Sequence, residues 1–378
     1  MFFITASLEK GGDPVKNGYD STVRRKTRQI RVGAVLVGGG LGGTSPAAVS
    51  IQTMAKADPK DIPAIVAQLR SAGKAGCDIV RIAVPDREAV ETIPRIKERV
   101  GMPLVADIHF DYRLAVASAR AGADGLRINP GNIGGQDALK AVVDAAGEAG
   151  ISIRIGVNAG SLPKIGGQPA RPDAEGMVSA ALEMLESVRT QGFSDLKVSL
   201  KASDVDTTIQ ANRLFAVRSD VPLHVGVTEA GPPLSGAVRS VAALAPLLSE
   251  GIGDTLRISL TAAPELEVRV ARILLVALGL RPGGVVVSCP TCGRVNADLV
   301  PVAERVEEMV ESLGLDISVA VMGCEVNGPG EARESDLGIA FGPQGEGLLF
   351  ESGQVRGKYP NQELETALVT RLKEWKKE

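Results

Sequence analysis

The chain reads as an α/β protein, a (β/α)8 TIM-type barrel followed by a small α+β domain, and three observations predict this. Eight short runs of strand-forming residues alternate with stretches of helical period between residues 48 and 280. Polar and charged residues gather toward the ends of those runs. Beyond about residue 281 the alternation stops and a cysteine-bearing segment of different rhythm begins.

The runs are AVSIQTM (48–54), DIVRIAV (78–84), LVADIH (104–109), GLRIN (125–129), SIRIGVN (152–158), LKVSLK (196–201), LHVGVT (223–228) and TLRISL (255–260). Helices are expected between them, for example over 63–75, 87–100, 138–149, 237–248 and 264–280, with Gly76, Gly101, Gly150 and Gly251 as stops. Near-continuous apolar strands joined by helices are the mark of parallel βα units. Eight of them close a barrel of about 250 residues. An open doubly wound sheet shares the local pattern but begins with a Gly-rich turn into a helix. Here the Gly38–Gly43 stretch follows a strand-like run over 30–37 and leads through Ser45-Pro46 into another strand, so it reads as a loop.

Three segments result. Residues 1–28, rich in Gly, Lys and Arg, form a loosely ordered N-terminal extension, 29–280 the barrel, and 281–378 the α+β domain. The last reads as a strand (284–288), a Cys-rich turn, a helix (298–313), a strand (316–322), a second Cys-rich turn, two strands and a final helix.

Composition narrows the function. Apolar residues make up 44% of 378, enough for a large core, while aromatics at 3% leave little for stacking bases. A formal charge of −3 gives no general attraction to nucleic acid or anionic membranes, so any anion binding must be local. No apolar run is long enough to span a bilayer or form a signal-peptide core. Four cysteines in so long a chain are no disulfide framework. The expectation is a soluble, cytoplasmic protein with reduced thiols.

The polar residues on the runs are Arg81; Asp107 and His109; Arg127 and Asn129; Arg154 and Asn158; Lys197, Ser199 and Lys201; His224; and Arg257 with Ser259. Spacing of two puts partners on one face of a strand. A charged face cannot lie among packed helices without partners, so the barrel mouth is the expected place. A single strand Arg is ordinarily a structural ion-pair partner. Cations on five of eight strands favour an anion pocket suited to more than one phosphate. Asp107-x-His109 reads equally as a metal pair or as a histidine oriented by its neighbour. His224 alone reads as a packed strand histidine. Glu229, closing VTEAG, is a general acid–base or an ion-pair partner in equal measure.

Cys289-Pro-Thr-Cys292 and Gly323-Cys324 each directly follow a predicted strand, so adjacent strand ends would bring three thiols together. Structural zinc wants four ligands, and neither histidine lies in this domain. A redox dithiol needs no third cysteine. Three cysteines with a weakly held fourth position fit an iron–sulfur cluster with one accessible iron. Cys77, before the second run, reads as a buried structural thiol at the opposite end of the barrel.

At these residues the chain resembles a known family. SCPTCGR (288–294) and GCEVNGPGEA (323–332) resemble the cluster-binding segments of 4-hydroxy-3-methylbut-2-enyl diphosphate synthases. VADIHFDYRLA (105–115), LRINPGNIG (126–134), IRIGVNAGSL (153–162), KVSLKASD (197–204), VTEAG (227–231) and 235–260 are similar to its barrel segments. The resemblance implies one [4Fe–4S] cluster per chain held by Cys289, Cys292, Cys324 and Glu331. It implies two-electron reductive ring opening and dehydroxylation of 2-C-methyl-D-erythritol 2,4-cyclodiphosphate, in non-mevalonate isoprenoid biosynthesis, with flavodoxin or ferredoxin as electron donor. It assigns the diphosphate to Arg127, Arg154, Asn158, Lys201 and Ser259, with Arg81, Asn129 and Arg257 as additions. Asp107 and His109 match active-site positions, and Glu229 the proton donor. The chain departs from the family pattern over 38–44, where the glycine loop is longer, and over 54–58.

A barrel helix returns the chain to the face opposite the mouth. A helix over 264–280 spans about 25 Å, whereas the linker Arg281-Pro-Gly-Gly reaches only about 14 Å. A head-to-tail homodimer is therefore expected, each cluster serving the partner's barrel. Pro282 and the two glycines are the expected hinge for opening and closing over substrate. Two rival readings are a pterin-binding type of barrel enzyme whose cluster only transfers electrons, and a zinc-stabilised module without activity. A radical S-adenosylmethionine enzyme is disfavoured, since Cys-x3-Cys-x2-Cys is absent.

Overall fold

The computed structural model describes residues 24–375 apart from 163, 166–167, 170, 325, 327–329 and 332–333. It divides into two compact units with a boundary between Leu280 and Arg281. Most of the N-terminal extension expected over 1–28 lies outside the described residues. Its last residues are docked rather than loose. Arg24 pairs with Asp254 at 3.0 Å, Arg25 donates to the carbonyls of Ala216, Ser219 and Val221, and Thr27 is buried.

The run over 30–37, read as one strand, is instead a hairpin. β1 (Gln29–Val32) and β2 (Val35–Gly38) pair antiparallel about Gly33, whose φ of 57° needs glycine. Ile30, Val32 and Val37 pack against Ile79 and Val105, inward residues near the starts of two barrel strands. The hairpin thus plugs the N-terminal end of the barrel.

The barrel strands are β3 (Ser50–Met54), β4 (Ile79–Ala83), β5 (Leu104–Asp107), β6 (Gly125–Ile128) and β7 (Ser152–Asn158). A small hairpin, β8 (Lys164–Ile165) and β9 (Gln168–Pro169), follows. β10 (Leu196–Lys201), β11 (His224–Val225) and β12 (Thr255–Leu256) complete the ring. All eight run parallel, and a bridge between Val198 and Leu223 closes the sheet. The last two runs form only two ladder residues each, because at the mouth the chains diverge into loops. Arg257 and Thr228 still donate their N–H groups to the carbonyls of Val225 and Ala202.

Among the described residues, eight helices cover the outside: α1 (Ile62–Lys74), α2 (Arg87–Val100), α3 (Tyr112–Arg120), α4 (Gln136–Ala149), α5 (Ala174–Arg189), α6 (Val205–Arg218), α7 (Pro233–Ser249) and α8 (Pro264–Ala277). Five start on an aspartate, Asp61, Asp86, Asp111, Asp173 and Asp204, whose carboxylate accepts a first-turn N–H. Each such cap is worth about 1 kcal/mol and fixes where the loop from the strand end stops. The period of two then sorts the strands. Val80, Ile82, Ala106, Ile153, Ile155, Val198 and Leu200 join the helix-packed core, leaving the alternate, polar residues inside the ring.

The second unit is a five-stranded sheet in the order β13 (Val285–Ser288), β14 (Ser318–Met322), β15 (Leu337–Ala340), β16 (Glu346–Glu351) and β17 (Gln354–Pro360). The first three strands are parallel and the last two pair antiparallel. Three strands follow the second cysteine turn, where two were expected. β17 is a largely exposed strand, so its sequence lacks an apolar face to announce it. Helix α9 (Leu299–Leu313) and the C-terminal helix Asn361–Glu374 bury Val302, Val306, Val310, Leu364 and Leu368 against Val319, Val321 and Ile339.

Candidate active site

The barrel interior encloses a cluster of charged side chains. Strand register places Asp107 beside Arg127, Arg127 beside Arg154, and Arg154 beside Lys197. Arg127 Nη1 lies 3.3 Å from Asp107 Oδ1, Arg81 Nε 3.8 Å from Asp107 Oδ2, and His109 Nε2 3.4 Å from Asp107 Oδ2. Burial alone would push the Asp107 carboxyl up, but Arg81, His109 and Arg127 outweigh it and hold it well below the usual carboxylate range. Arg127 Nη1 also stands 3.1 Å from His109 Nε2. Among the described residues, then, Asp107 and His109 are engaged with arginines rather than with each other alone.

Glu267, on α8, is a buried carboxylate beside the barrel cations that the strand pattern did not reveal. It is buried, accepts hydrogen bonds from Thr53 Oγ1 at 2.8 Å and the Leu260 N–H at 2.9 Å, and pairs with Lys56 Nζ at 2.9 Å. Arg257 Nη2 lies 3.8 Å from it. Burial, then Arg81, brings the Arg257 guanidinium down to about 10. The signal was present: Glu267 falls on the buried stripe of α8 with Val268, Ala271, Leu274 and Leu275. Lys56 lies in the loop that follows β3. It also donates to the carbonyls of Leu260 and Ala262, tying the first and last barrel loops together.

Two glycines make room for the cations. A Cβ at Gly156 would stand 2.5 Å from Arg127 Nε, and one at Gly226 would stand 2.7 Å from Lys201 Nζ and 2.4 Å from the Arg257 carbonyl. Arg154 is fully enclosed, with Nη1 3.4 Å from Gln52 Oε1. Burial, then Arg81 and Arg127, pull its proton affinity down, and burial with Arg154 and Arg257 does the same to Lys201.

The remaining expected residues are less alike. Asn129 is buried and its Oδ1 accepts the Gly131 N–H at 3.0 Å, shaping the Asn129-Pro-Gly turn. Asn158 ends β7 and Ser259 follows β12, both half-buried. Glu229 is exposed, with a φ of 52° that is unfavourable for a side chain of its size. Lys197 and His224, grouped by sequence with the strand ends, sit instead near the starts of β10 and β11, deep inside the ring. Cys77 is buried, its Sγ 3.1 Å from the Ile79 carbonyl.

In the second unit β13 and β14 are parallel neighbours, so Cys289 and Gly323-Cys324 leave the sheet at the same end. The Gly323 N–H donates to Cys289 Sγ at 3.3 Å, tying the two cysteine turns together. Val295 N–H closes a turn on the Cys292 carbonyl at 3.1 Å, and Asn296 N–H ties it to the Gly323 carbonyl at 2.8 Å. Cys289 is half-buried, Cys292 exposed and Cys324 buried. Glu331 is exposed, its carbonyl accepting from Ser335 Oγ at 3.1 Å. Among the described residues no three His, Cys, Asp or Glu side chains are grouped tightly enough to hold one metal. The donor set, soft sulfurs at one end of the sheet with a carboxylate in the segment after Cys324, fits an iron–sulfur group better than a hard cation.

Comparison with known proteins agrees with this division. The model of the GcpE TIM-barrel domain matches residues 27–272, and that of the GcpE protein C-terminal domain matches 285–374. A protein from Dehalococcoides mccartyi (strain CBDB1), named 4-hydroxy-3-methylbut-2-en-1-yl diphosphate synthase (flavodoxin), is 49% identical over 350 residues, 92% of this chain and 98% of its own. One of the same name from Geobacter sulfurreducens is 49% identical over 352 residues, 93% of this chain and 98% of its own. Among solved structures, type I 3-dehydroquinate dehydratase from Clostridium difficile is similar at TM-score 0.48 and 18% identity, covering 67% of this chain and 97% of that one. Dihydropteroate synthase from Yersinia pestis is similar at TM-score 0.47 and 13% identity, covering 66% and 96%. No helix among the described residues is long and apolar enough to cross a membrane. The chain belongs to the GcpE family, whose members include these 4-hydroxy-3-methylbut-2-en-1-yl diphosphate synthases.

Proposed function

We propose that this chain catalyses the two-electron reductive ring opening and dehydroxylation of 2-C-methyl-D-erythritol 2,4-cyclodiphosphate to 4-hydroxy-3-methylbut-2-enyl diphosphate, with residues 29–280 binding the diphosphate and 281–378 carrying the cluster. The observation that carries the reading is the excess of positive charge inside the barrel. Among the described residues, Arg81, Arg127, Arg154, Lys201 and Arg257 there face the carboxylates of Asp107 and Glu267. A dianionic ligand is what such an interior lacks.

Charge balance explains the surplus. The reaction consumes two electrons and one proton, breaks the C–O bond to the ring phosphate, and releases the hydroxyl as water. The freed phosphate oxygen leaves the linear product one negative charge richer than the cyclic substrate. Cations enclosed in a low-dielectric ring stabilise that growing charge more strongly than water does. Arg127 and Arg154 hold the phosphates, with Arg81, Asn129, Asn158, Lys201, Arg257 and Ser259 around them. Asp107 and His109 fix the Arg127 guanidinium, and Glu229 supplies the proton to the departing hydroxyl.

Cys289, Cys292, Cys324 and Glu331 would hold one [4Fe–4S] cluster. When bound, such a cluster would supply the two electrons singly, together with a Lewis-acidic iron. The names of the relatives support flavodoxin as the electron donor. Helix α8 runs back to the end of the barrel opposite the mouth, and only a short linker precedes β13. This connectivity supports a head-to-tail homodimer in which the cluster serves the partner's barrel. The test is anaerobic purification with iron, sulfide and zinc assayed per chain, then turnover of the cyclic diphosphate with a low-potential reductant. About four iron and four sulfide with turnover support the reading; zinc without sulfide removes it.

A further inference from the structure

Lys197 and His224 have no role in the scheme above, yet both are enclosed inside the barrel. Lys197 is 1% exposed and His224 fully buried. Among the described residues Lys197 Nζ and both ring nitrogens of His224 have no hydrogen-bond partner, nor do Arg154 Nε and Gln52 Nε2. Leaving such groups unpaired is costly. The nearby carboxylate, Asp254, is already bonded to Arg24 Nη2 at 3.0 Å and to the Leu223 N–H at 2.8 Å.

We propose that Lys197, with His224 beside it, forms the floor of the anion pocket and takes up a proton when a diphosphate binds above it. The inference rests on the diphosphate reading of the pocket. Lys197 is paired in register with Arg154. The groups around it are Arg154 from β7, Lys201 above it on β10, His224 from β11, and Asp254 with Arg24 and Arg25 from below. Arg81, Arg127 and Arg257 complete the charge of the ring above.

With no anion present, a charged ammonium here is both desolvated and repelled. Burial first, and Arg154 second, bring Lys197 down to about 7. Burial, then Arg154, Lys201 and Lys197, hold His224 well below its ordinary range, so its ring is neutral and keeps one acceptor nitrogen. A dianion among the arginines reverses the field at Lys197 and favours the ammonium. The proton enters from solvent with the ligand. It adds a cation to the pocket only when there is negative charge to meet it.

Calorimetric titration of the oxidised holoenzyme with the cyclic diphosphate, without reductant, tests this. Each phosphorus of that ligand carries a single strong acid group, so it does not titrate between pH 6 and 9. Titrations in buffers of different ionisation enthalpy count the protons exchanged. At pH 8 the wild type is expected to take up close to one proton per site at Lys197, beyond any taken up by Lys201, whose ammonium is disfavoured in the same way. K197M should bind with the uptake reduced by close to one proton per site. K197R, with a permanent charge, should show the same reduction and a shallower pH profile, and it carries the test if K197M does not fold. No uptake by the wild type overturns the proposal. So does unchanged uptake in both variants, which would assign the proton to Lys201. Failure of the ligand to bind the wild type at all would instead remove the diphosphate reading of the pocket, and this inference with it.

Discussion

Asp107 and Arg127 occupy paired positions on adjacent parallel strands, and Arg127 Nη1 meets Asp107 Oδ1 at 3.3 Å inside the barrel. That single carboxylate also faces Arg81 and His109. It is the counter-charge that lets a ring of arginines fold before any ligand arrives.

Replacing Asp107 with Asn should therefore destabilise the free protein by about 3 kcal/mol, the scale for removing one partner of a buried ion pair. Saturating cyclic diphosphate should restore part of the loss, because the ligand supplies the missing charge. Urea unfolding with and without ligand measures both. The acid limb gives a second check. The Asp107 carboxyl is depressed in the folded state, so its contribution is complete above the unfolded value of about 3.9 and is lost as pH falls below it. The variant should show a shallower acid transition than the wild type.

Gly156→Ala separates affinity from stability. The added methyl would stand 2.5 Å from Arg127 Nε and 2.8 Å from Nη2, its nearest neighbours being atoms of that one side chain. Arg127 can swing aside, so the melting temperature should fall by no more than a few degrees while KM rises at least tenfold. Gly226→Ala meets the Arg257 carbonyl at 2.4 Å as well as Lys201. Backbone cannot swing aside, and this variant should lose both stability and activity. Equal behaviour of the two would show that the glycines do not shape the cation pocket.

Glu229 combines exposure with a left-handed backbone, φ 52°, where a glycine would be unstrained. Such strain costs on the order of 1 kcal/mol and persists where function requires it. Glu229→Gln should lower kcat by about a hundredfold or more with KM little changed, the signature of a lost proton donor. Glu229→Gly should be at least as stable as the wild type and equally inactive. If Glu229→Gly proves both stable and active, the glutamate has no part in the proton step.

Most of this architecture was legible because a parallel strand buried on its outer face advertises itself. β7 and β10 coincide with their predicted runs, since Ile153, Ile155 and Val157, like Val198 and Leu200, must all meet helices. Inward residues were legible by the same alternation, which is why Arg127, Arg154 and Lys201 were found together. Depth was not. Lys197 and His224 share that alternation with the mouth residues, but they stand near the starts of β10 and β11 and so lie lower. Glu267 escaped because it reaches the ring from a helix. The hairpin of β1 and β2 escaped because Gly33 splits an otherwise uniform apolar run.

The proposed head-to-tail dimer makes a quantitative prediction. On the proposed assignments, Arg154→Ala disables a barrel and leaves its cluster intact, while Cys292→Ala does the reverse. Each variant alone should be inactive, since every composite site in either homodimer contains one dead half. Random exchange between equal amounts makes half of the dimers mixed. In each mixed dimer one of the two sites pairs the Cys292→Ala barrel with the Arg154→Ala cluster, both intact. Activity should then recover to about a quarter of the wild type per total chain. Exchange must be shown independently, by native mass spectrometry of differently tagged chains. Mixed dimers formed in full yield with no recovered turnover would mean that each cluster serves its own barrel. The linker Arg281-Pro-Gly-Gly would then have to carry β13 to the mouth within one chain, and the connectivity argument for the dimer would fail.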